Sequence, residues 1–393
     1  MKFEKLGNIA RIQIGKTPPR GVSKYWGKGN SWVSISDLKS ATINSTKEEI
    51  TDLAISECGC KVIPKGTLMM SFKLSIGKVA FAGRDLFTNE AICGIILKDK
   101  SKVAAEYLFY ALKNTKFVGS NVAVKGSTLN TSSLNALQIP IIEGKKNQLH
   151  IADLLSKAEN LIARRKESIR LLDEFLKSTF FEMFGDPVRN EKGFKRCRFD
   201  DFIIEIVAGS SYGGEQKGFL KDDEYGVLKV SAVTWGVFNP KEFKVVNKKD
   251  IRGEIIHPKK GNLLFSRANT RELVGATCIV DNDYPRLFIP DKLWKLVLKA
   301  EELNNVFTHY LFQNKSFKNT LTREASGTSS SMLNISMEKL KKINFYKPPI
   351  ELQSTFAQIV EKTEALKTQY QQSLQELENL YGSLSQRAFR GEL

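Results

Sequence analysis

Gly15-Lys16-Thr17 has the ending of a phosphate-cradling loop. The full pattern needs a glycine five residues before the second one, where this chain carries Ala10, and a helix directly after the threonine. Pro18-Pro19 forbids that helix. Glu215-Gln216-Lys217 and Glu242-Phe243-Lys244 have the Glu-x-Lys form found in nucleases. Such triplets arise by chance, and neither follows a Pro-Asp strand. His150, His257 and His309 have no serine or cysteine arranged around them as a triad. Cys58 and Cys60 stand two apart, too close for ordinary zinc-ligand spacing, and Cys93, Cys197 and Cys278 are scattered. No glycine-rich dinucleotide fingerprint opens a strand–helix unit, and no Asn-Pro-Pro-aromatic motif for amino-group methylation is present. These patterns supply no catalytic set and no metal site, so the chemistry that remains is binding.

Binding chemistry is concentrated in polar, basic loops at strand ends. In the first half these are Gly15–Lys24, Ser71–Lys78 and Lys125–Asn130. In the second they are Gly209–Lys217, Phe265–Gly275, Pro290–Trp294 and Thr322–Ser331. Serine, threonine and backbone amides bind phosphate, while arginine and asparagine pair bidentately with guanine and adenine edges. Arg267, Asn269 and Arg271 share one such loop, flanked by apolar strands that would hold it rigid. Any one of these loops reads equally well as an ordinary solvated loop. Their recurrence at matching points in both halves favours a shared binding face.

The whole-chain charge agrees. Sixty basic against 43 acidic residues give a net charge of +17 and a pI near 9.5, spread along the chain without a dominant polybasic run. Such an excess suits a polyanionic partner, most often nucleic acid. The 393 residues, 41% hydrophobic and 10% aromatic, are too many for one core and suit two domains with connecting elements. No long apolar core marks the N-terminus and no run reaches 18 apolar residues, so neither a signal peptide nor a membrane span is expected. The odd, scattered cysteines fit a reduced, cytoplasmic, metal-free protein.

Two alike units must position the loops. Residues 1–143 read as an α/β unit with short strands at Arg11–Ile14, Trp32–Ser36, Leu68–Phe72, Val79–Ala82 and Ala91–Leu97, then a helix from Val103 to Asn114. Residues 188–347 repeat the plan. Phe3–Leu6 is matched with Phe199–Phe202, Gly15–Thr17 with Gly209–Ser211, Trp32–Leu38 with Val227–Val233, and Lys65–Met69 with Lys260–Leu264. Gly126–Asn130 is matched loosely with Gly327–Asn334.

Residues 144–187 and 348–393 are predicted long helices. Adding 205 maps Gln148 to Gln353, Ala152 to Ala357, Ser168 to Ser373, Leu172 to Leu377 and Phe184 to Phe389, the mark of a duplicated unit. Steps of four and three pick out Ile151, Leu155, Ala158, Ile162, Arg165, Ile169, Leu172, Leu176, Thr179 and Met183 in the first. The same steps give Phe356, Val360, Thr363, Lys367, Tyr370, Leu374, Leu377, Tyr381, Leu384 and Ala388 in the second. That 3.5-residue repeat is a coiled-coil seam, and the cheapest partner for each helix is the other. At ~1.5 Å per residue each rod is roughly 55–60 Å long. Arg165 and Lys367 interrupt the seam, either loosening it or marking where the helices splay. A helical hairpin or homodimer zipper would explain the rods alone. It would not explain two similar frames carrying divergent units.

This layout resembles the specificity subunit of type I restriction–modification systems. Leu6–Pro18, Phe180–Pro187, Phe265–Gly275 and Gln386–Leu393 look like that family's recurring phrases. The resemblance covers the whole chain. It implies an α+β fold: two α/β target recognition domains related by internal duplication, separated by two long antiparallel helices forming a coiled coil. It implies a non-catalytic subunit whose domains each read one half of a bipartite DNA sequence, with half-sites about one turn, roughly 34–36 Å, apart. The helices would set the spacing and dock two modification subunits. S-adenosylmethionine, ATP and Mg are expected only in the modification and restriction/motor partners, and no cofactor here. Only loop positions transfer between members. Arg267 and Asn269 become the leading base contacts, with Lys16, Thr17, Lys73, Lys78, Lys125, Ser127, Thr128, Ser266, Arg271, Lys292, Arg323 and Ser329 as further DNA contacts. Two rivals stay open: a stand-alone nuclease or methyltransferase with an unrecognised site, and a coiled-coil scaffold with no DNA role.

Overall fold

The computed structural model describes the chain apart from residues 116, 118–120, 124–125 and 327–331, and gives only the backbone of residues 121–123 and 126–128. The chain forms two compact units. One comprises Met1–Lys166 with Gln372–Leu393, the other Glu167–Gln371. The fold is α+β, and each unit is built on the same plan.

In the first unit the central sheet runs in the order Ala10–Ile14, Ile92–Leu97, Leu68–Ser71, Val79–Ala82, Thr42–Ile43. Its neighbours are antiparallel except the last pair. Leu68–Ser71 is buried throughout because both sheet faces are covered. Successive side chains alternate across a strand, so Leu68 and Met70 enter the core shared with the helix Ala105–Asn114, while Met69 enters a second core with Ala80 and Ile92. This double coverage explains why the strand reads as a continuous apolar run. A smaller sheet, Glu48–Ile50, Trp26–Val33, Phe87–Thr88, stands beside it in the chain's connectivity.

The second unit has the corresponding sheets. They run Ile203–Ala208, Leu293–Leu298, Leu263–Ser266, Thr277–Ile279, and Phe243–Asn247, Glu224–Leu228, Leu287–Phe288. Matching hydrogen bonds fix the correspondence. The amides of Gly66 and Gly261 donate to Ala82 and Val280 at 2.7 and 2.8 Å, and those of Lys65 and Lys260 to the Asp85 and Asp283 carboxylates at 2.8 and 2.9 Å. One expected match is corrected. Leu6 N–H donates to Leu137 O as Phe199 N–H donates to Ile343 O, so Phe199 answers Leu6 and not Phe3. Burial gives the reason: Leu6 and Phe199 are fully buried, while Phe3 is exposed. The look-alike Phe-acid pairs had set the register three residues off.

The long helices run Lys145–Phe184 and Ile350–Ala388. Gly144 and Gly185, both at positive φ, bound the first; at Gly185 the left-handed conformation closes the helix without a Cβ clash. The seam positions are buried or half-buried throughout. Within the first unit, Glu159 meets Tyr381 at 2.9 Å and Lys166 meets Glu378 at 2.8 Å, so the segments run antiparallel. Within the second, Asp173 meets Lys367 at 2.6 Å and Phe180 packs on Phe356 with ring centroids 5.5 Å apart, again antiparallel. Lys367 does not splay the helices. Burial works against its charge, but Asp173 and Glu364 outweigh that and raise its pKa.

Each unit therefore draws on both helices. Ile151, Ala152 and Leu155 from the first helix and Ala388 from the second lie in the first unit's core. Leu176, Phe180 and Phe184 lie with Phe356 and Val360 in the second unit's core. Burying each such phenylalanine contributes roughly 1.5–3 kcal/mol. Among the described residues no helix is long and apolar enough to cross a membrane.

Candidate nucleic-acid interface

Gly15 and Gly209 end equivalent strands, and each is required by a close backbone approach. A Cβ at Gly15 would lie 2.3 Å from both Thr88 O and Asn89 O, and one at Gly209 would lie 1.9 Å from Ile289 O. Lys16 N–H donates to Thr88 O at 2.8 Å and Ser210 N–H to Ile289 O at 3.2 Å. The glycine that suggested a phosphate loop is thus a crossing point. Two residues on, Thr17 donates its hydroxyl to Glu90 and Ser211 donates to Asp291. The same hydroxyl–carboxylate lock closes both units.

The second and third loops of the first unit are joined. Lys73-Leu74 pairs antiparallel with Gly126–Thr128, placing Lys73 opposite Thr128 and Leu74 opposite Ser127. In the second unit Ala268-Asn269 pairs with Leu333-Asn334 in the equivalent place. Both loops close with a glycine amide donating to a serine carbonyl at 2.9 Å, Gly77 to Ser71 and Gly275 to Ser266. Five residues lie inside the first loop and eight inside the second, so the second carries the longer excursion.

Arg267 is held on three sides. Its Nε donates to Asp291 O at 2.8 Å, its Nη2 meets Asp291 Oδ2 at 3.0 Å, and its guanidinium lies 5.9 Å from the Trp294 ring centroid. Burial alone would raise the Asp291 carboxyl, but Ser211 and Arg267 outweigh it and hold it below the usual carboxylate range. Lys292, half-buried, accepts the Arg267 amide on its carbonyl at 3.1 Å. Asn269 is half-buried, with its Nδ2 3.5 Å from Thr234 Oγ1. So Ser211, Arg267, Asn269, Asp291 and Lys292 are brought together.

Other expected contacts are placed differently. Lys16 and Lys78 are exposed, Lys73 half-buried with its ammonium 5.5 Å from the Phe72 ring centroid. Arg271 is exposed in the longer loop and Arg323 is exposed in the last turn of Lys315–Glu324. Ser266 is corrected: it is fully buried and its hydroxyl faces Ala268 O at 3.5 Å, so it supports the loop and presents nothing to a ligand. Lys125 and Ser329 lie outside the described residues, as do the side chains of Ser127 and Thr128.

Sequence reasoning missed Arg20. Its guanidinium sits 3.9 Å from the Trp26 ring centroid and 4.9 Å from that of Trp32, and it forks onto Glu48, with Nη2–Oε2 at 3.1 Å. The signal was present in aromatics spaced along Trp26 and Trp32 near a basic loop. Among the described residues no group of three or more His, Cys, Asp or Glu side chains is gathered as metal ligands.

A family model described as "Type I restriction modification DNA specificity domain" matches residues 1–171 and 216–379. The type I restriction enzyme MjaIX specificity subunit of Methanocaldococcus jannaschii is 30% identical over 256 residues, covering 60% of this chain and 58% of that relative. The chain thus aligns with little more than half of that protein's length. The EcoKI specificity subunit of Escherichia coli K12 is 22% identical over 323 residues, covering 77% of this chain and 68% of the relative. Among solved structures, the S subunit of the type I restriction–modification system of M. genitalium superposes with a TM-score of 0.57 at 15% identity. It covers 99% of this chain and 96% of that one. A chain from a structure concerning complex assembly and conformational transition of the type I R-M system gives 0.56 at 18% identity, covering 100% and 98%. At these identities the superpositions speak for the fold.

Proposed function

Because this chain belongs to the type I restriction modification DNA specificity family, we propose that it is the sequence-specific DNA-binding subunit of a type I restriction–modification complex. It does no chemistry itself. Residues 1–143 and 188–347 are the two target recognition domains, each reading one half of a bipartite site in double-stranded DNA. Residues 144–187 and 348–393 set the spacer and dock two modification subunits, with restriction/motor subunits joining that assembly in the cytoplasm. S-adenosylmethionine, ATP and Mg belong to those partners.

The observation that supports this most directly is the repetition of one loop frame with different outward residues. Both units share the glycine crossing, the hydroxyl–carboxylate lock and the serine-closed loop. The side chains those loops carry differ: Lys73 and Leu74 in one, Arg267, Asn269 and Arg271 in the other. A constant frame with variable contents is what two readers of unlike half-sites require.

Exchanging residues 1–143 for the matching unit of another such subunit, then mapping methylated sites with the modification subunits present, tests it. One half of the methylated sequence should change and the other should stay. Change in both halves, or in neither, would refute the assignment. The rivals are tested separately. Cleavage or methyl transfer by the chain alone with DNA, Mg²⁺ and S-adenosylmethionine would make it an enzyme. DNA binding with no dependence on log[salt] would make it a scaffold.

A further inference from the structure

The turn Thr234–Val237 carries an unusual load. Trp235 is 79% exposed and Val237 66% exposed, yet Val233 and Phe238 on either side are buried. The turn is rigid. Gly236 N–H donates to Val233 O at 3.3 Å and Asn239 N–H to Ala232 O at 2.9 Å, and the Phe238 ring packs on Tyr284 with centroids 5.1 Å apart. Gly236 has φ +80°, and a Cβ there would lie 2.8 Å from Gln313 Nε2, so the turn runs close against the end of the helix Asn305–Gln313. Its other side touches the recognition loop: Thr234 Oγ1 donates to Val230 O at 3.0 Å and lies 3.5 Å from Asn269 Nδ2.

Trp235 and Val237 together present an apolar surface to water beside the Arg267–Asn269 loop. The apolar pair is two side chains wide, far short of the ~800 Å² per partner of a stable protein interface. It suits one base step, into which DNA-binding proteins insert apolar wedges. The neighbouring Thr234 meets Asn269, two residues from Arg271, which makes the turn continuous with the loop assigned above to DNA. The equivalent position in the first unit, by the match of Trp32–Leu38 to Val227–Val233, is Ser40, so the feature belongs to one reader only.

We infer that Trp235 is a wedge that packs against the bases of the duplex engaged by the Arg267–Asn269 loop, and so helps determine which half-site the second domain accepts. The inference rests on the proposed DNA-recognition role. Trp32 and Trp294 are buried and Trp26 is half-buried, which leaves Trp235 as the readily quenched indole.

The probe is a duplex selected from a randomised pool by the assembled complex with its modification subunits. Adding it should shield the acrylamide-quenched fluorescence that Trp235→Phe removes. Trp235→Ala should weaken binding about tenfold, the loss expected for one aromatic–base stack, while Trp235→Phe keeps most of the affinity. Continued quenching in the complex, or Trp235→Ala binding like the wild type, overturns the wedge and leaves the recognition role standing. Loss of modification-subunit assembly with DNA binding intact also overturns it, assigning the turn to a protein contact. If the wild-type complex selects no duplex, the recognition role falls and the wedge falls with it.

Discussion

Gln148 and Gln353, 205 positions apart, make the same three hydrogen bonds. Gln148 accepts from Ala104 N–H at 2.8 Å and donates to Lys102 O and Ile142 O at 3.0 and 2.9 Å. Gln353 accepts from Asn304 N–H at 2.9 Å and donates to Glu302 O and Pro348 O at 3.2 and 2.8 Å. Both side chains are buried, so each carboxamide satisfies the N-cap amide of a packed helix and two carbonyls at the edge of the core.

Replacing either glutamine with leucine strands those groups. An unsatisfied buried group costs about 1–3 kcal/mol, so Gln148→Leu should lower stability by at least ~2 kcal/mol in chemical denaturation. Hydrogen exchange should accelerate around residues 102–142 and not in the second unit. Gln353→Leu should do the reverse.

Phe389 packs on Tyr107 with ring centroids 5.7 Å apart, and Ser385 donates to Asn114 at 2.6 Å. Truncation after Leu380 should therefore melt the first unit, reported by Trp32, before the second, reported by Trp294. Phe389→Ala alone should cost about 2 kcal/mol through lost packing.

His309 is buried beside the Thr277 hydroxyl, 3.0 Å from its Nδ1, and burial pushes its pKa down to about 4. The unfolded chain takes up this proton near 6.5, the folded chain near 4. The neutral histidine's contribution is complete above pH 6.5 and is lost as pH falls toward 4, with a slope of at most ~1.4 kcal/mol per pH unit. Denaturation of the second unit across that window should show this slope, and His309→Asn should remove it.

Arg267 and Arg271 should separate in their effects on DNA. Arg267→Ala removes a donor held in place by Asp291 and should cost ~1–3 kcal/mol on the selected duplex, relaxing one position of the second half-site. Arg271→Ala, exposed and without that frame, should weaken binding to all duplexes alike and reduce the salt slope by about one. Competition binding against single-base variants at two salt concentrations distinguishes the two.

Periodicity made the long helices and their seam legible, because a 3.5-residue repeat survives even where Arg165 and Lys367 interrupt it. The strands at Val79–Ala82 and Ile92–Leu97 were legible for the same reason of patterned burial. Register near the N-terminus was not, since Phe3 and Phe199 look alike and only burial separates them. The candidate interface was legible as a set of loops, while the contacts within them were not. Chain distance hides that Asp291 claims Arg267 and that Glu90 claims Thr17, and composition cannot distinguish a buried Ser266 from an exposed serine. Trp235 escaped notice because an isolated tryptophan reads as core until its solvent exposure is known.

The first compact unit is completed by residues 372–393, which the ribosome makes only after all of residues 167–371. A nascent chain usually folds its leading domain first. Here the leading unit lacks Ala388 from its core and the Phe389 ring from Tyr107 until those residues have been made, so its core closes only after the whole second unit has been synthesised.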